Sequence, residues 1–186
     1  MSTSPMGDAR GMRVVFVSHC VLNQNSVVRR LAVREGMLEE IVDVLREFKL
    51  GIIQLPCPET GYLGLKRWWQ VRDQYDSVGF RRYCKRLAEE AARLALEFEK
   101  NGIKVVSIIG IRGSPSCGVT ETSTGWVGGN PAEAGRYEKI KGKGVFMEEL
   151  ERAFRKYGLS VKMTDVNVSS LKESAQEIRS FLRELT

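Results

Sequence analysis

Three of the four cysteines in this sequence lie just after predicted strands, each in a short segment of turn-forming residues. They are Cys20, Cys57 and Cys117, which follow the apolar runs at residues 13–18, 51–55 and 103–111. Because the carboxyl ends of parallel strands open onto one edge of a sheet, where ligands bind, we expect the three thiols to meet at that edge. A cysteine near a strand end can also be a small buried hydrophobic residue, but three equivalent positions favour a shared metal centre.

The type of ligand narrows the choice of metal. Sulfur ligands favour zinc, copper(I) or an iron–sulfur cluster. Structural zinc usually takes four ligands in closely spaced pairs, and this sequence has no such pair of cysteines. The single histidine, His19, adjoins Cys20 and would point to the opposite face if the strand continued, so it is a poor fourth ligand. A 4Fe-4S cluster on three cysteines would leave one iron open to a substrate, which favours catalysis over electron transfer.

Acidic and hydroxyl side chains accompany two of these cysteines. Glu59 lies in the same turn as Cys57 and could deliver or take a proton beside the metal, although a solvated loop carboxylate is the alternative. Ser114 and Ser116 precede Cys117 and could be polar groups of a catalytic site, hydrogen-bond donors to cluster sulfur, or simply turn formers. These three residues are the candidate catalytic groups.

The segment after the second predicted strand is rich in aromatic and basic side chains. Trp68 and Trp69 adjoin Arg67, so the rings could stack on a base while the cation holds a negative group; anchoring of the loop onto the core is the alternative. Asn23, which follows the first predicted ligand, could hydrogen-bond a base edge or cap its own loop. The fourth cysteine, Cys84, lies within a predicted helix and is expected to be structural.

Strand and helix patterns alternate along the chain, which is typical of an α/β protein. β-Branched or apolar runs predict strands at residues 13–18, 51–55, 103–111 and 159–163, and helical spacing of apolar residues predicts helices at 37–48, 77–100, 144–157 and 171–185. The long connections, at residues 56–76 and 112–143, are predicted to be functional loops over one sheet edge. Together these elements predict a three-layer sandwich around a mostly parallel, Rossmann-like sheet of about four strands.

The bulk composition bounds the protein's class. The 186 residues suit one ordinary α/β domain, predicted at residues 13–186 after a flexible N-terminal tail at residues 1–12. No run approaches the roughly 18–20 apolar residues of a membrane span, and the first residues lack the apolar centre of a secretory signal. We therefore expect a cytoplasmic protein with no membrane partner and with reduced thiols. The net charge of +6 favours anionic partners, among which nucleic acid is possible but not favoured.

Three short motifs in this chain resemble those of the thiouracil desulfurase family. They follow the first three predicted strands and are Ser18-His19-Cys20, Pro56-Cys57-Pro58-Glu59 and Ser114-Pro115-Ser116-Cys117-Gly118. The resemblance implies a 4Fe-4S cluster on the three motif cysteines, whose unligated iron takes the sulfur of a thiolated nucleobase such as 2-thiouracil before hydrolysis to the oxo base. It also implies that Glu59 is the acid/base residue and that Ser114 or Ser116 is a polar partner near the cluster.

Two functions remain open from the sequence. The first is an iron–sulfur-dependent desulfurase that acts on a small thiolated compound. The alternative is a non-catalytic module that carries a metal or cluster for sulfur delivery, with thiolated RNA as a partner. The chain departs from the usual family sequence after Cys20, where it has Val21-Leu22-Asn23-Gln24-Asn25, and at Trp68-Trp69. These departures fall around the predicted pocket, so they bear on the substrate more than on the cluster.

Overall fold

The computed structural model describes residue 7, residues 9–130 and residues 137–186 of the chain. The strands in chain order are β1 (Arg13–Val17), β2 (Gly51–Gln54), β3 (Lys104–Ile111), β4 (Glu121–Thr124), β5 (Glu138–Lys141) and β6 (Met163–Val166). β2, β1, β3 and β6 lie side by side in that order, and every neighbouring pair is parallel. The predicted parallel sheet of about four strands is therefore confirmed.

Helices connect these strands and cover both faces of the sheet. In chain order they are α1 (His19–Leu22), α2 (Glu39–Glu47), α3 (Pro58–Leu63), α4 (Arg72–Tyr75), α5 (Val78–Lys100), α6 (Val145–Lys156) and α7 (Leu171–Arg183). The longest of them, α5, begins after Ser77, whose Oγ accepts a hydrogen bond from the Phe80 N–H at 3.3 Å. The polar cap that ends the preceding loop thus also fixes where the helix starts.

The side chains of β1 alternate between two cores, as expected for a strand that is covered on both faces. Phe16 packs with α5 and α6 on one side of the sheet, whereas Val15 and Val17 pack with α2 and α7 on the other. β3 divides its side chains in the same way, with Ile108 in the first core and Ile109 in the second. Helices and sheet therefore form three layers, and the predicted α/β sandwich is confirmed.

The strand order brings the three cysteine motifs together at one edge. Because β2, β1 and β3 are parallel neighbours, their carboxyl ends lie next to one another. Cys20 follows β1 at the centre, and the segments with Cys57 and Cys117 follow the two flanking strands. The convergence predicted from the sequence is therefore a direct result of the strand order.

The last strand lies further along the chain than predicted. β6 pairs with β3 from Met163, which is opposite Ile108, to Val166, which is opposite Ile111. Leu159 and Val161, which suggested the strand, instead pack their side chains against the core under α5 and α6. The predicted strand at residues 159–163 therefore overlaps β6 only at its end, because an alternating apolar pattern reports burial of side chains and not backbone pairing.

The two long predicted loops contain regular structure. Residues 56–76 include the short helices α3 and α4, and residues 112–143 include an antiparallel pair made by β4 and β5. All four residues of β5 are exposed, so this strand has no buried face and no apolar periodicity that a sequence pattern would reveal. Both segments still lie next to the sheet edge that carries the cysteines, because residues of both line the cavity there.

Two expectations concern the first residues and a membrane. Residues 1–6 and 8 of the predicted tail lie outside the described residues, while residues 9–12 are exposed and precede β1. Within the described ranges, no helix is both long and apolar enough to cross a bilayer. Although α5 has 23 residues, charged side chains are spread along its length.

Candidate active site and metal centre

A cavity of about 550 Å³ opens at the carboxyl edge of the sheet, and Cys20, Cys57 and Cys117 all line it. Cys84, by contrast, is fully buried within α5 and does not line the cavity. Glu59 is also part of the cavity wall. The structure thus brings together the three cysteines and the carboxyl group that the sequence singled out.

Short helices at the strand ends hold the first two cysteines. Cys20 is the second residue of α1, directly after the end of β1. Cys57 is the N-cap of α3, and its Sγ accepts a hydrogen bond from the Thr60 N–H at 3.4 Å. Pro58 then occupies the first position of this helix, where its missing N–H costs nothing. Both cysteines are partly exposed as residues, and both line the cavity.

The loop that carries Cys117 folds more tightly than the other two. The Cys117 N–H donates to Ser114 Oγ at 3.0 Å, and Ser116 Oγ lies 3.4 Å from Cys117 Sγ. A Cβ on Gly110 would lie 2.3 Å from the Cys117 carbonyl oxygen, and one on Gly118 would lie 2.1 Å from the Glu121 carbonyl oxygen. Because any side chain at these glycines would collide with backbone, the path of this loop depends on them.

The thiols of the three cavity cysteines interact electrostatically. Exclusion of water raises the pKa of Cys20 well above its ordinary value, and the neighbouring Cys117 and Cys57 raise this pKa further, followed by Glu59. Burial, and then the charge of Cys57, likewise raise the pKa of Cys117 to about 12. These side chains would therefore repel one another as thiolates unless a positive centre lay among them. A bound metal centre supplies such a positive charge. Its binding also releases the protons of the ligating thiols.

Among the described residues, no group of three or more His, Cys, Asp or Glu side chains is placed to hold a metal ion. In an iron–sulfur cluster, each cysteine binds a different iron, so the thiols need not converge on one point. Ser18, which directly follows β1, also has a buried Oγ that meets no partner within the described part of the chain. This unpaired hydroxyl is a donor that the sulfur of a bound metal centre would satisfy.

Glu59 is held from two sides. Ser116 Oγ donates to Glu59 Oε1 at 2.6 Å, and Arg67 Nε donates to Glu59 Oε2 at 3.0 Å. Both the Glu59 carboxyl group and the Arg67 guanidinium are buried. Glu59 is therefore not a solvated loop residue, which was the alternative interpretation of its sequence position. Ser116 Oγ also lies 3.4 Å from Cys117 Sγ, so one hydroxyl lies between the carboxylate and a candidate cluster ligand.

The Arg67 guanidinium donates hydrogen bonds to several acceptors within the protein. Besides the bond to Glu59, it donates to Thr60 Oγ1 at 3.0 Å and to the carbonyl oxygens of Ser26 at 2.8 Å and Gly64 at 3.4 Å. These bonds tie the Cys57 segment to the segment after Cys20. Arg67 also lines the cavity, but a guanidinium with this many internal acceptors acts chiefly to hold the wall together.

We expect an Arg67→Met variant to be less stable than the wild type by about 3–5 kcal/mol, because it leaves the Glu59 carboxylate buried without its partner. Denaturant unfolding followed by circular dichroism measures this difference. Lys66→Met is the matched control, since Lys66 is the exposed neighbour of Arg67. Equal midpoints for the two variants would show that the ion pair contributes little to stability.

Only one of the two adjacent tryptophans belongs to the cavity wall as described. Trp69 lines the cavity, and its ring meets the Tyr137 ring edge-on at 4.6 Å between centroids. Trp68 instead meets Trp126 edge-on at 6.4 Å and lies outside the lining. Asn23 also lies outside it and caps the next turn, where its Oδ1 accepts from the Asn25 N–H at 3.1 Å.

Gln24 is a functional candidate that the sequence did not single out. Its buried side chain donates to the Cys20 carbonyl at 2.7 Å and accepts from the Val33 N–H at 3.0 Å. It therefore ties the first cysteine to the wall made by residues 27–33. A glutamine within a polar segment has no periodicity or spacing that would distinguish it. Basic side chains of Arg30, Arg112 and Lys139 also line the cavity.

Three comparisons with known proteins found similar proteins. A family model described as "Putative 2-thiouracil desulfurase" matches residues 12–178, a range that includes all three cysteine motifs. The chain is 35% identical over 153 residues to the uncharacterized protein MJ0003 of Methanocaldococcus jannaschii, which covers 82% of this chain and 85% of that protein. It is also similar to the solved structure of the 4Fe-4S-dependent thiouracil desulfidase TudS, with 21% identity, a TM-score of 0.47, and coverage of 89% of this chain and 97% of that one.

Proposed function

Because this chain belongs to the 2-thiouracil desulfurase family, we propose that it is an enzyme that removes sulfur from a small thiolated compound. The substrate class that suits the family is a thionucleobase such as 2-thiouracil. The observation that supports the proposal most is that the three motif cysteines and the buried Glu59 line one cavity. A packing role alone would not require four such groups around one open space.

Cys20, Cys57 and Cys117 would hold a 4Fe-4S cluster in this proposal. When bound, the cluster supplies an iron without a protein ligand, which is a Lewis acid suited to the soft sulfur of a thiocarbonyl. The overall reaction replaces C=S by C=O, consumes one water and releases hydrogen sulfide. The protein must therefore take a proton from water and return protons to the leaving sulfur.

Glu59 is the group we assign to this proton transfer. Ser116 and Arg67 each bind one of its carboxylate oxygens, so the group has a fixed position in the cavity wall. A carboxylate that is positioned in this way can accept a proton from water and pass it on. Ser114 supports the arrangement indirectly, because its Oγ accepts from the Cys117 N–H. Ser116 orients Glu59 by donating to its Oε1, and the same hydroxyl oxygen lies 3.4 Å from the Cys117 sulfur.

For the substrate itself, we assign Trp69 as the aromatic wall of the cavity. Its half-exposed ring borders the open space and is braced edge-on by Tyr137. A planar base can stack on such a face. Arg67 borders the same space, but we assign it to holding Glu59. Trp68 and Asn23 are left out of this assignment, since both lie outside the cavity lining.

An anaerobic reconstitution followed by a sulfide assay tests the proposed function. We expect a brown protein with about four irons per chain. Incubated with 2-thiouracil, it should release sulfide and uracil in equal amounts, with uracil measured by chromatography. A colourless, iron-free protein would show that the chain does not bind the proposed cluster. A protein that binds iron but releases no sulfide from any thiolated base would instead be a carrier module.

A further inference from the structure

A buried carboxylate on β6 binds the loop that carries Cys117. Asp165 is fully buried and lies outside the cavity lining. It accepts hydrogen bonds from the Val119 N–H at 2.9 Å, from the Thr120 N–H at 2.6 Å, and from Thr120 Oγ1 at 3.0 Å. Arg112 Nε donates to it as well, at 3.0 Å. All of these donors belong to residues 112–120, so one carboxylate is hydrogen-bonded to both ends of a single loop.

The position of Asp165 in the sheet explains this convergence. β6 is the outer neighbour of β3, and Asp165 pairs in register with Gly110, just before the loop leaves β3. A carboxylate removed from water is strongly unfavourable unless charge and hydrogen-bond donors compensate for the loss. Here the compensating donors come from the loop itself. The buried charge is therefore stable only when residues 112–120 have the observed conformation.

We infer that Asp165 is a positioning residue for Cys117: its buried charge holds the loop of residues 112–120 in the shape that presents this thiol to the cavity. The consequence for a cluster rests on the proposed function, but the effect on the loop does not. Arg112, which lines the cavity, is oriented by the same carboxylate and by Glu177 at 2.8 Å. Asp165 thus organises one wall of the site without touching the open space.

The fourth cysteine allows local and global effects to be separated. Cys117 is 8% exposed and Cys84 is 0% exposed, so both thiols react slowly in the folded protein. Cys84 lies within α5, whereas Cys117 lies in the loop that Asp165 holds. Release of the loop alone would expose only Cys117, whereas general destabilisation would expose both thiols.

The test is the alkylation rate of each cysteine in the full chain without a cluster, measured with iodoacetamide under native conditions and peptide mass spectrometry. In an Asp165→Asn variant we expect Cys117 to react about tenfold or more faster than in the wild type, because hydrogen bonds to a charged acceptor are lost. Cys84 should keep its wild-type rate. Equal acceleration at both cysteines, or none at Cys117, would overturn the inference.

Two further variants show which contacts of Asp165 control the reactivity of Cys117. They also keep the inference testable if Asp165→Asn does not fold. Thr120→Val removes the hydroxyl bonds and keeps both backbone donors, so we expect a smaller acceleration at Cys117. Glu177→Gln removes the charge of the other carboxylate that binds Arg112 and should leave the rate unchanged. If Glu177→Gln accelerated Cys117 as much as Asp165→Asn, the arginine rather than the loop backbone would be responsible, and the inference would be wrong.

Iron content provides a second readout that separates this inference from the proposed function. After anaerobic reconstitution, Asp165→Asn should hold fewer irons per chain than the wild type. Its circular dichroism spectrum should be the same as that of the wild type. If the wild type binds no iron, the proposed function fails, while the alkylation rates still decide the role of Asp165. If the wild type and the variant both bind iron fully, the loop does not need Asp165 and the inference is overturned.

Discussion

A Cys57→Ser variant is expected to fold normally and to lose most of its iron. In the wild type, Cys57 Sγ caps α3 by accepting the Thr60 N–H. Serine is among the best N-cap residues, so its hydroxyl takes over this bond and the helix keeps its start. A hydroxyl is, however, a poor replacement for a thiolate ligand to iron. Iron analysis after anaerobic reconstitution should show a fall from about four irons per chain to a small fraction of that value.

Cys84→Ala is the matched control for this experiment. Cys84 is buried in α5 and lies outside the cavity, so its removal should leave the iron content unchanged. Thermal unfolding of both variants, recorded without iron, would establish that the loss at Cys57 does not arise from misfolding. Full iron content in Cys57→Ser would contradict the assignment of this residue as a ligand.

A Glu59→Gln variant is expected to keep its iron and to release sulfide about 10²- to 10⁴-fold more slowly than the wild type. Glutamine has the same shape and can still accept from Arg67 Nε with its amide oxygen, while its amide group meets Ser116 Oγ. It cannot, however, take a proton from water and pass it on. Sulfide release from 2-thiouracil at saturating substrate measures the effect on turnover.

The control for Glu59→Gln is Glu149→Gln, because Glu149 is another buried glutamate that is paired with arginine. It binds Arg81 at 2.9 Å, and it lies on α6 outside the cavity lining. Any general effect of removing a buried, arginine-bound charge should appear in both variants. Unchanged sulfide release in Glu59→Gln would mean that Glu59 only anchors Arg67 and that the proton comes from elsewhere.

The two experiments probe different properties of the same wall. Under the proposed function, iron content should depend on the thiols, and turnover at full iron content should depend on the carboxylate. Ser116 connects these properties, because its Oγ donates to Glu59 Oε1 and lies 3.4 Å from Cys117 Sγ. Loss of turnover at normal iron content in Glu59→Gln, together with loss of iron in Cys57→Ser, would assign separate tasks to the carboxylate and the thiols.

Much of the architecture was predictable because it depends on local periodicity. The apolar runs before Cys20, Cys57 and Cys117 form β1, β2 and β3, and the amphipathic segments form the helices that cover the sheet. The predicted parallel arrangement then required only that crossover connections be long enough to contain a helix. Elements without a periodic pattern were missed, as in β4 and β5, which have little or no buried apolar face.

The side-chain partners were far less predictable. From the sequence, Arg67 appeared as a cation that could hold a ligand, yet its guanidinium is buried against Glu59 and the Ser26 carbonyl. Nothing in the sequence distinguishes Asp165, since a single aspartate in a short strand carries no spacing signal. Its partners at Val119 and Thr120 lie more than forty positions away in the chain.

The sequence by itself determined that thiols would stand after three strands and that these strands would be parallel, because residue type and periodicity act within a few positions of the chain. The tertiary structure alone decided which charges neutralise one another around those thiols. Arg67 rather than solvent binds Glu59, and Asp165 binds the Cys117 loop. Such pairings depend on which distant groups lose their water together, and only the packed fold specifies that.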